Sequence, residues 1–247
     1  MVPVLTFVFM YIAAAFSVLC PVMLFIYFRR KGAEGIVFFA GCAVFMLFAI
    51  ILEGALSVLL MKTPSWEAVQ SSAWRSALLG GLMAGIFEET GRFCAFSTVL
   101  KKKLDNRMNA FMYGAGHGGM EVLVVLGFGM VSNLMIASMI NRGEAVGVQT
   151  TQLFLSTSPY IFLVGIVERL FAVVIHISLS LVVWRASADR DRRYLYPVAI
   201  AIHAAIDAIS VYLNRVGVSI ILIELVVCVM AALTAVFAHR TGCSSEN

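Results

Sequence analysis

A chain of 247 residues that is 61% hydrophobic and only 13% charged lacks the charge to cover a soluble surface, so its class is integral membrane. The net charge of +4 is not a nucleic-acid signal, because the basic residues sit at the ends of apolar runs and form no stripe with interleaved aromatics. No linker, repeat or low-complexity tract interrupts the chain, and a single integral-membrane domain over 1–247 is expected.

In chain order, hydropathy predicts an all-α, polytopic bundle of about seven transmembrane helices: 4–28, 36–61, 76–100, 108–138, 157–184, 194–213 and 217–238. The first run reads as a retained helix and not a signal peptide. No Lys or Arg precedes it, it exceeds a signal's apolar core, and Leu19 stands before Cys20 where a lipoprotein signal needs a small residue. The polar segment 139–156 reads as a loop with room for a short interfacial helix. Trp66, Trp74, Trp184 and Tyr194 fall near predicted interfaces, as aromatic anchors do. Cys20, Cys42, Cys94, Cys228 and Cys243 have no paired spacing, which favours buried small hydrophobes over disulfides or a thiolate metal site.

Basic residues set the direction of these spans. Arg29, Arg30, Lys31, Lys101, Lys102, Lys103, Arg107, Arg185, Arg190, Arg192, Arg193 and Arg240 fall on one side, twelve of the eighteen. Lys62, Arg75, Arg142 and Arg215 fall on the other, and Arg92 and Arg169 lie within spans. This asymmetry predicts an external amino terminus and a cytoplasmic carboxyl terminus.

The charges inside the spans carry the function. Each costs at least about 2.5–3.5 kcal/mol at the bilayer centre. Yet the third span holds Glu88, Glu89 and Arg92, the fourth His117 and Glu121, the fifth Glu168, Arg169 and His176, and the sixth His203 and Asp207. At about 1.5 Å per residue, Glu89, His117, His176 and His203 all lie roughly 12–17 Å from the cytoplasmic helix ends. A common depth on four helices predicts one buried polar site. Arg92 can neutralise only one of the two adjacent glutamates, so the other either finds a different partner or is placed to act as a base on water. His117 with Glu121 and His203 with Asp207 have the four-residue spacing by which a carboxylate orients an imidazole. Glu168 and Arg169 read as a structural charge pair. Glu53 and Glu224, without local partners, are expected in interhelical bonds or lining a wet cavity.

Gly114, Gly116, Gly118 and Gly119 around His117 predict close helix packing, space beside the site, or both; Gly81 and Gly85 predict packing alone. No lysine lies in mid-membrane, which excludes a retinal Schiff base despite the helix number. Neither a GxSxG nor a Ser-Lys arrangement stands at the depth of the polar cluster, which argues against a serine-type intramembrane protease.

Glu88-Glu89-Thr90-Gly91-Arg92, Gly114-Ala115-Gly116-His117-Gly118-Gly119-Met120-Glu121, Glu168-Arg169 with His176, and His203-Ala204-Ala205-Ile206-Asp207 together resemble the YhfC family of bacterial membrane proteins. That family stands beside the CAAX-processing and PrsW-type intramembrane proteases. The resemblance implies a bacterial plasma-membrane protein and an intramembrane endopeptidase acting on a membrane-embedded peptide or protein. Carried over residue by residue, it implies Glu88 or Glu89 as the base, His117 and His203 as partners, and Asp207 in the last, oxyanion-stabilising position. Arg92, Glu121, His176, Glu168 and Arg169 would support them. The arginine comes one residue earlier than in the CAAX pattern, which leaves the choice of glutamate open. Tyr113 stands where that pattern has phenylalanine.

Two versions of the chemistry follow. In one, a glutamate activates water without a metal, the version the resemblance favours. In the other, zinc is held among Glu88, Glu89, His117 and His203. The competing class is a proton- or metal-cation-coupled transporter using the same cluster as a relay. Against it stand the absence of an inverted repeat and of a clearly broken helix.

Overall fold

The computed structural model describes residues 1–243, with side chains to Thr241. Every regular element in that range is helical. The helices are α1 (Val4–Arg30), α2 (Gly35–Phe45), α3 (Gly54–Leu60), α4 (Trp66–Gln70), α5 (Ala73–Ser97), α6 (Met108–Glu121), α7 (Gly129–Asn141), α8 (Val148–Ser156), α9 (Ile161–Ala188), α10 (Leu195–Arg215) and α11 (Ile220–Cys243). A π-helical stretch, Met46–Glu53, joins α2 to α3 in one rod, and a second, Val122–Phe128, joins α6 to α7. These rods, with α1, α9, α10 and α11, give six helices long and apolar enough to cross a membrane. The remaining long helix, α5, has 25 residues and is set apart by its charges.

The ends follow local chemistry. Arg29 and Arg30 occupy the last turn of α1, where the helix dipole favours cations. Gly32 and Gly217 take positive φ (90° and 80°) and reverse the chain after α1 and between α10 and α11. The short helix expected within 139–156 is α8. Helix α5 begins and ends three residues before the predicted 76–100, because Thr98 leaves helical geometry and its hydroxyl bonds the Cys94 carbonyl at 2.7 Å.

Helices α5, α6, α9 and α10 form the centre, with α1, α2 and α11 around them. Small residues set how closely they approach. A Cβ on Gly81 would lie 2.3 Å from the Ala204 carbonyl oxygen, and one on Gly85 2.7 Å from that of Ile200, so α5 and α10 touch backbone to backbone. A Cβ on Gly116 would stand 2.0 Å from the Phe38 oxygen, and one on Gly114 2.5 Å from the Ile177 Cα. Packing is thus the main work of the glycines around His117, which lets that histidine be fully buried. Outside, Ile221, Leu225, Val229 and Leu233 form an exposed stripe along α11, suited to lipid.

Two details depart from the sequence expectation. Trp184 is buried in the core, 7% exposed, and is no interfacial anchor; Trp74 and Tyr194 are exposed. Cys20, Cys42, Cys94 and Cys228 are free thiols, but only Cys20 is fully buried and Cys94 is exposed; the side chain of Cys243 lies outside the described residues.

At one end of the bundle the loop after α1 is tied to the loop before α6. Lys103 donates to the Glu34 carboxylate, the Glu34 N–H donates to Asn109 Oδ1 at 2.9 Å, and Asn109 Nδ2 donates to the Lys103 carbonyl at 3.1 Å. The Lys103 hydrogen bond holds the Glu34 carboxyl below its ordinary range.

Candidate functional site

The closeness of α5 to α10, and of α6 to α9, brings ten polar side chains to one level. Measured from the ends of the helices as they stand, Glu88, His117, His176 and His203 lie about 12–18 Å deep. They are not equivalent.

Behind the site is a wall of committed groups. Glu89 and Arg92, three residues apart on α5, are both fully buried. Arg92 Nη1 lies 2.5 Å from each Glu89 oxygen, and its Nη2 lies 3.2 Å from His176 Nδ1. Glu89 Oε1 also accepts from His203 Nδ1 at 2.7 Å. His117 Nε2 lies 2.8 Å from Glu88 Oε2, while its Nδ1 is buried without a partner among the described residues. Phe45 packs edge-on against His117 at 5.3 Å, and Tyr113 and Phe96 close the space beyond it.

In front lies a cavity of about 330 Å³ between α9, α10 and α11, reached by Glu88, His176, His203, Glu121 and Asp207. One donor atom from each of Glu88, His176 and His203 lies within 4.8 Å of the others. The ring nitrogens turned to Glu88 Oε2 are His176 Nδ1, at 3.8 Å, and His203 Nε2, at 4.0 Å. Each ring has its other nitrogen on a carboxylate: His203 Nδ1 on Glu89, and His176 Nε2 on Glu121. Arg169 holds Glu121 in turn, and donates through Nη2 to Glu168 at 2.5 Å. Asp207 Oδ2 stands 3.5 Å from His203 Nε2.

The donor set fits a divalent metal. Two imidazoles and a carboxylate are a catalytic-zinc ligand set. An outer carboxylate on the far nitrogen is the arrangement that fixes the tautomer and raises the basicity of a metal-bound histidine. With the far nitrogens donating to Glu89 and Glu121, His203 Nε2 keeps its lone pair on the Glu88 side, while that of His176 Nδ1 is shared between this side and the Arg92 Nη2 donor 3.2 Å away.

A model of the YhfC intramembrane metalloprotease family matches residues 16–228. The chain belongs to that family. It is also similar to the "Uncharacterized membrane protein YhfC" of Bacillus subtilis (strain 168), with 31% identity over 242 residues, 92% of this chain and 93% of the relative. No solved structure matches. A multi-pass membrane protein of this family is what the composition and motifs led one to expect. The family's description as metalloproteases gives no support to the metal-free chemistry preferred from the sequence resemblance.

The sequence-predicted residues divide between the two layers. Glu88, His203 and Asp207 face the cavity, whereas Glu89 is behind it. His117 binds Glu88 but is not one of the three converging donors; that place belongs to His176. The predicted intrahelical partnership of His117 with Glu121 does not form, because Glu121 turns to Arg169 and His176 on α9. The pair Glu168–Arg169 is present, but Arg169 bridges two helices. Glu224 lines the cavity, as one of its two expected roles. The π-helical stretches were not foreseen, and no single-residue signal marks them; Met46–Glu53 packs against α5, and Val122–Phe128 begins directly after Glu121 and packs chiefly against α1.

Proposed function

We propose that this protein is an intramembrane endopeptidase in which Glu88, His176 and His203 hold a divalent metal. The observation that carries the reading is the convergence of those three donors, each imidazole backed by a carboxylate on its far nitrogen. Zinc bound there would supply Lewis acidity, lowering the pKa of water and polarising the scissile carbonyl.

The remaining steps belong to the chain. Glu89, clamped by Arg92, orients the His203 ring through Nδ1; Glu121, clamped by Arg169, does the same for His176 through Nε2. Neither Asp207 nor Glu88 bonds an arginine among the described residues; with Glu88 assigned to the metal, Asp207, 3.5 Å from His203 Nε2 and lining the cavity, is left for proton transfer. In this reading it accepts the proton of the attacking water and returns it to the leaving amine. His117 donates to Glu88 and holds that carboxylate toward the cavity. Polar walls between α9, α10 and α11 admit water and an unwound substrate strand to mid-membrane depth, where irregular backbone is tolerated only beside such a cavity.

In the proposed orientation α5 is the seventh span and the amino terminus is external, so the cavity opens outward at the ends of α10 and α11. The aromatic wall of Phe45, Tyr113 and Phe96 behind His117 favours hydrolysis over the transport reading, since a relay would need a polar path through it.

The test separates binding from proton transfer. Detergent-purified wild type should carry one zinc per chain and release new peptide termini in membranes. Asp207→Asn should keep the zinc and lose about 10²–10⁴-fold in rate, while Glu88→Gln should lose the zinc itself. A Glu88→Gln protein that retains full zinc yet is inactive would instead make Glu88 the base. Wild-type and Glu88→Gln membranes with identical terminal profiles would sink the proteolytic reading.

A further inference from the structure

Glu224 lies on α11, one turn inside its first residue, and lines the same cavity. Its side chain is nine-tenths buried, and Oε2 has no hydrogen-bond partner among the described residues. A buried carboxylate without a partner is costly, so its persistence calls for one supplied from elsewhere. The cavity itself does not supply it. Among the described residues, five carboxylates line it (Glu88, Glu121, Glu168, Asp207 and Glu224) and one arginine, Arg169. Arg169 is already shared between Glu121 and Glu168, and the two histidines are engaged with Glu121 and Glu89. Glu224 thus stands in an acidic vestibule with its Oε2 unpaired among the described residues.

The spacing says where along a substrate the missing cation would stand. His203 and Asn214 both line the cavity on α10, eleven residues or about 16 Å apart along the helix. After the turn at Gly217, α11 runs back, and Glu224 lies four residues, about 6 Å, inside Ile220. The difference, about 10 Å, is the length of about three residues of extended peptide.

We infer that Glu224 is a specificity-determining residue that binds a Lys or Arg side chain of the substrate about three residues from the bond cleaved. This rests on the proteolytic reading above and adds a substrate class to it: membrane segments carrying a basic residue near their outer end. A long basic side chain suits the place, since its apolar stem can lie along Val211, Ile220 and Val227 while its head reaches the carboxylate.

The experiment uses zinc-loaded full-length protein in lipid nanodiscs with synthetic apolar peptides of about 20 residues. Each peptide carries Lys, Gln or Glu at one position, stepped along the segment, and cleavage sites and kcat/KM are read by mass spectrometry. Wild type should prefer Lys over Gln at least tenfold when that position lies about three residues from the cut. In Glu224→Gln that ratio should fall to near one, and in Glu224→Lys the peptides bearing Glu should overtake those bearing Gln. Cleavage by wild type with no positional preference for Lys overturns the subsite and leaves hydrolysis standing, as does a preference that survives in Glu224→Gln. Failure of wild type to cut any peptide overturns both.

Discussion

On the cavity side of the site, Glu88, His176 and His203 bring donor atoms within 4.8 Å of one another; on the wall behind, Glu89 and Arg92 are fully buried and bound to each other. Glu88 and Glu89 are adjacent in sequence, so one residue of helical rotation, about 100°, separates the proposed metal ligand from a buried, ion-paired support. Breaking a buried ion pair costs several kcal/mol, whereas the pair as a whole adds little stability over a well-packed apolar substitute. Its value here is orientational, since it holds Glu89 against His203.

That contrast is broken most severely at Arg92. Arg92→Met leaves the Glu89 charge buried with only His203 beside it, and should cost about 3–5 kcal/mol. For a chain of this size each kcal/mol is worth about 2–4 °C in Tm, so thermal unfolding in detergent should move by roughly 6–20 °C. Glu88→Gln keeps shape and hydrogen bonding and should shift Tm far less while losing the metal. The double variant Glu89→Leu/Arg92→Leu sharpens the comparison: stability should recover much of its loss, but zinc affinity should not, because His203 Nδ1 has lost its acceptor. Recovery of both would mean that the pair has no orienting role.

The support on the other imidazole is milder. Glu121→Gln retains an acceptor for His176 Nε2 but removes the charge, and outer-carboxylate changes of this kind weaken metal binding about 10–100-fold. Competition with a calibrated chelator measures it directly. Zinc affinity unchanged in Glu121→Gln would remove Glu121 from the site and leave it a structural partner of Arg169.

What the sequence made legible follows from which contacts are local. Charges within apolar runs are costly wherever the helices go, so Glu88, Glu89, Arg92, His203 and Asp207 stood out before any packing was known. The common depth of four helices was legible too, because rise per residue is fixed. Which face each residue presents to a neighbour was not. His117 and Glu121 have an intrahelical spacing, yet each finds a better partner across a helix interface, His117 on α5 and Glu121 on α9. His176 has no carboxylate one turn away in its own helix, and so looked weaker than His117, although it is the one that meets His203 and Glu88. Trp184 misled for the same reason: near a helix end it reads as an anchor, but α9 is covered on that side.

The smallest effect is expected where an ion pair sits in water instead of protein. Glu34 and Lys103 make the same kind of contact as Glu89 and Arg92, but with side chains 44% and 32% exposed. Solvent screens such a pair, and exposed pairs contribute little. Because the folded state lowers the Glu34 pKa, its contribution is present above the ordinary glutamate pKa of about 4.3 and fades as pH falls through the lower folded value. Glu34→Gln should therefore change Tm slightly at neutral pH and low salt, and not at all once the carboxylate is protonated or once salt shortens the screening length. Thermal unfolding at neutral and acid pH, with and without salt, makes the comparison with Arg92→Met. An Arg92→Met loss that salt erased in the same way would mean that water reaches the wall behind the site.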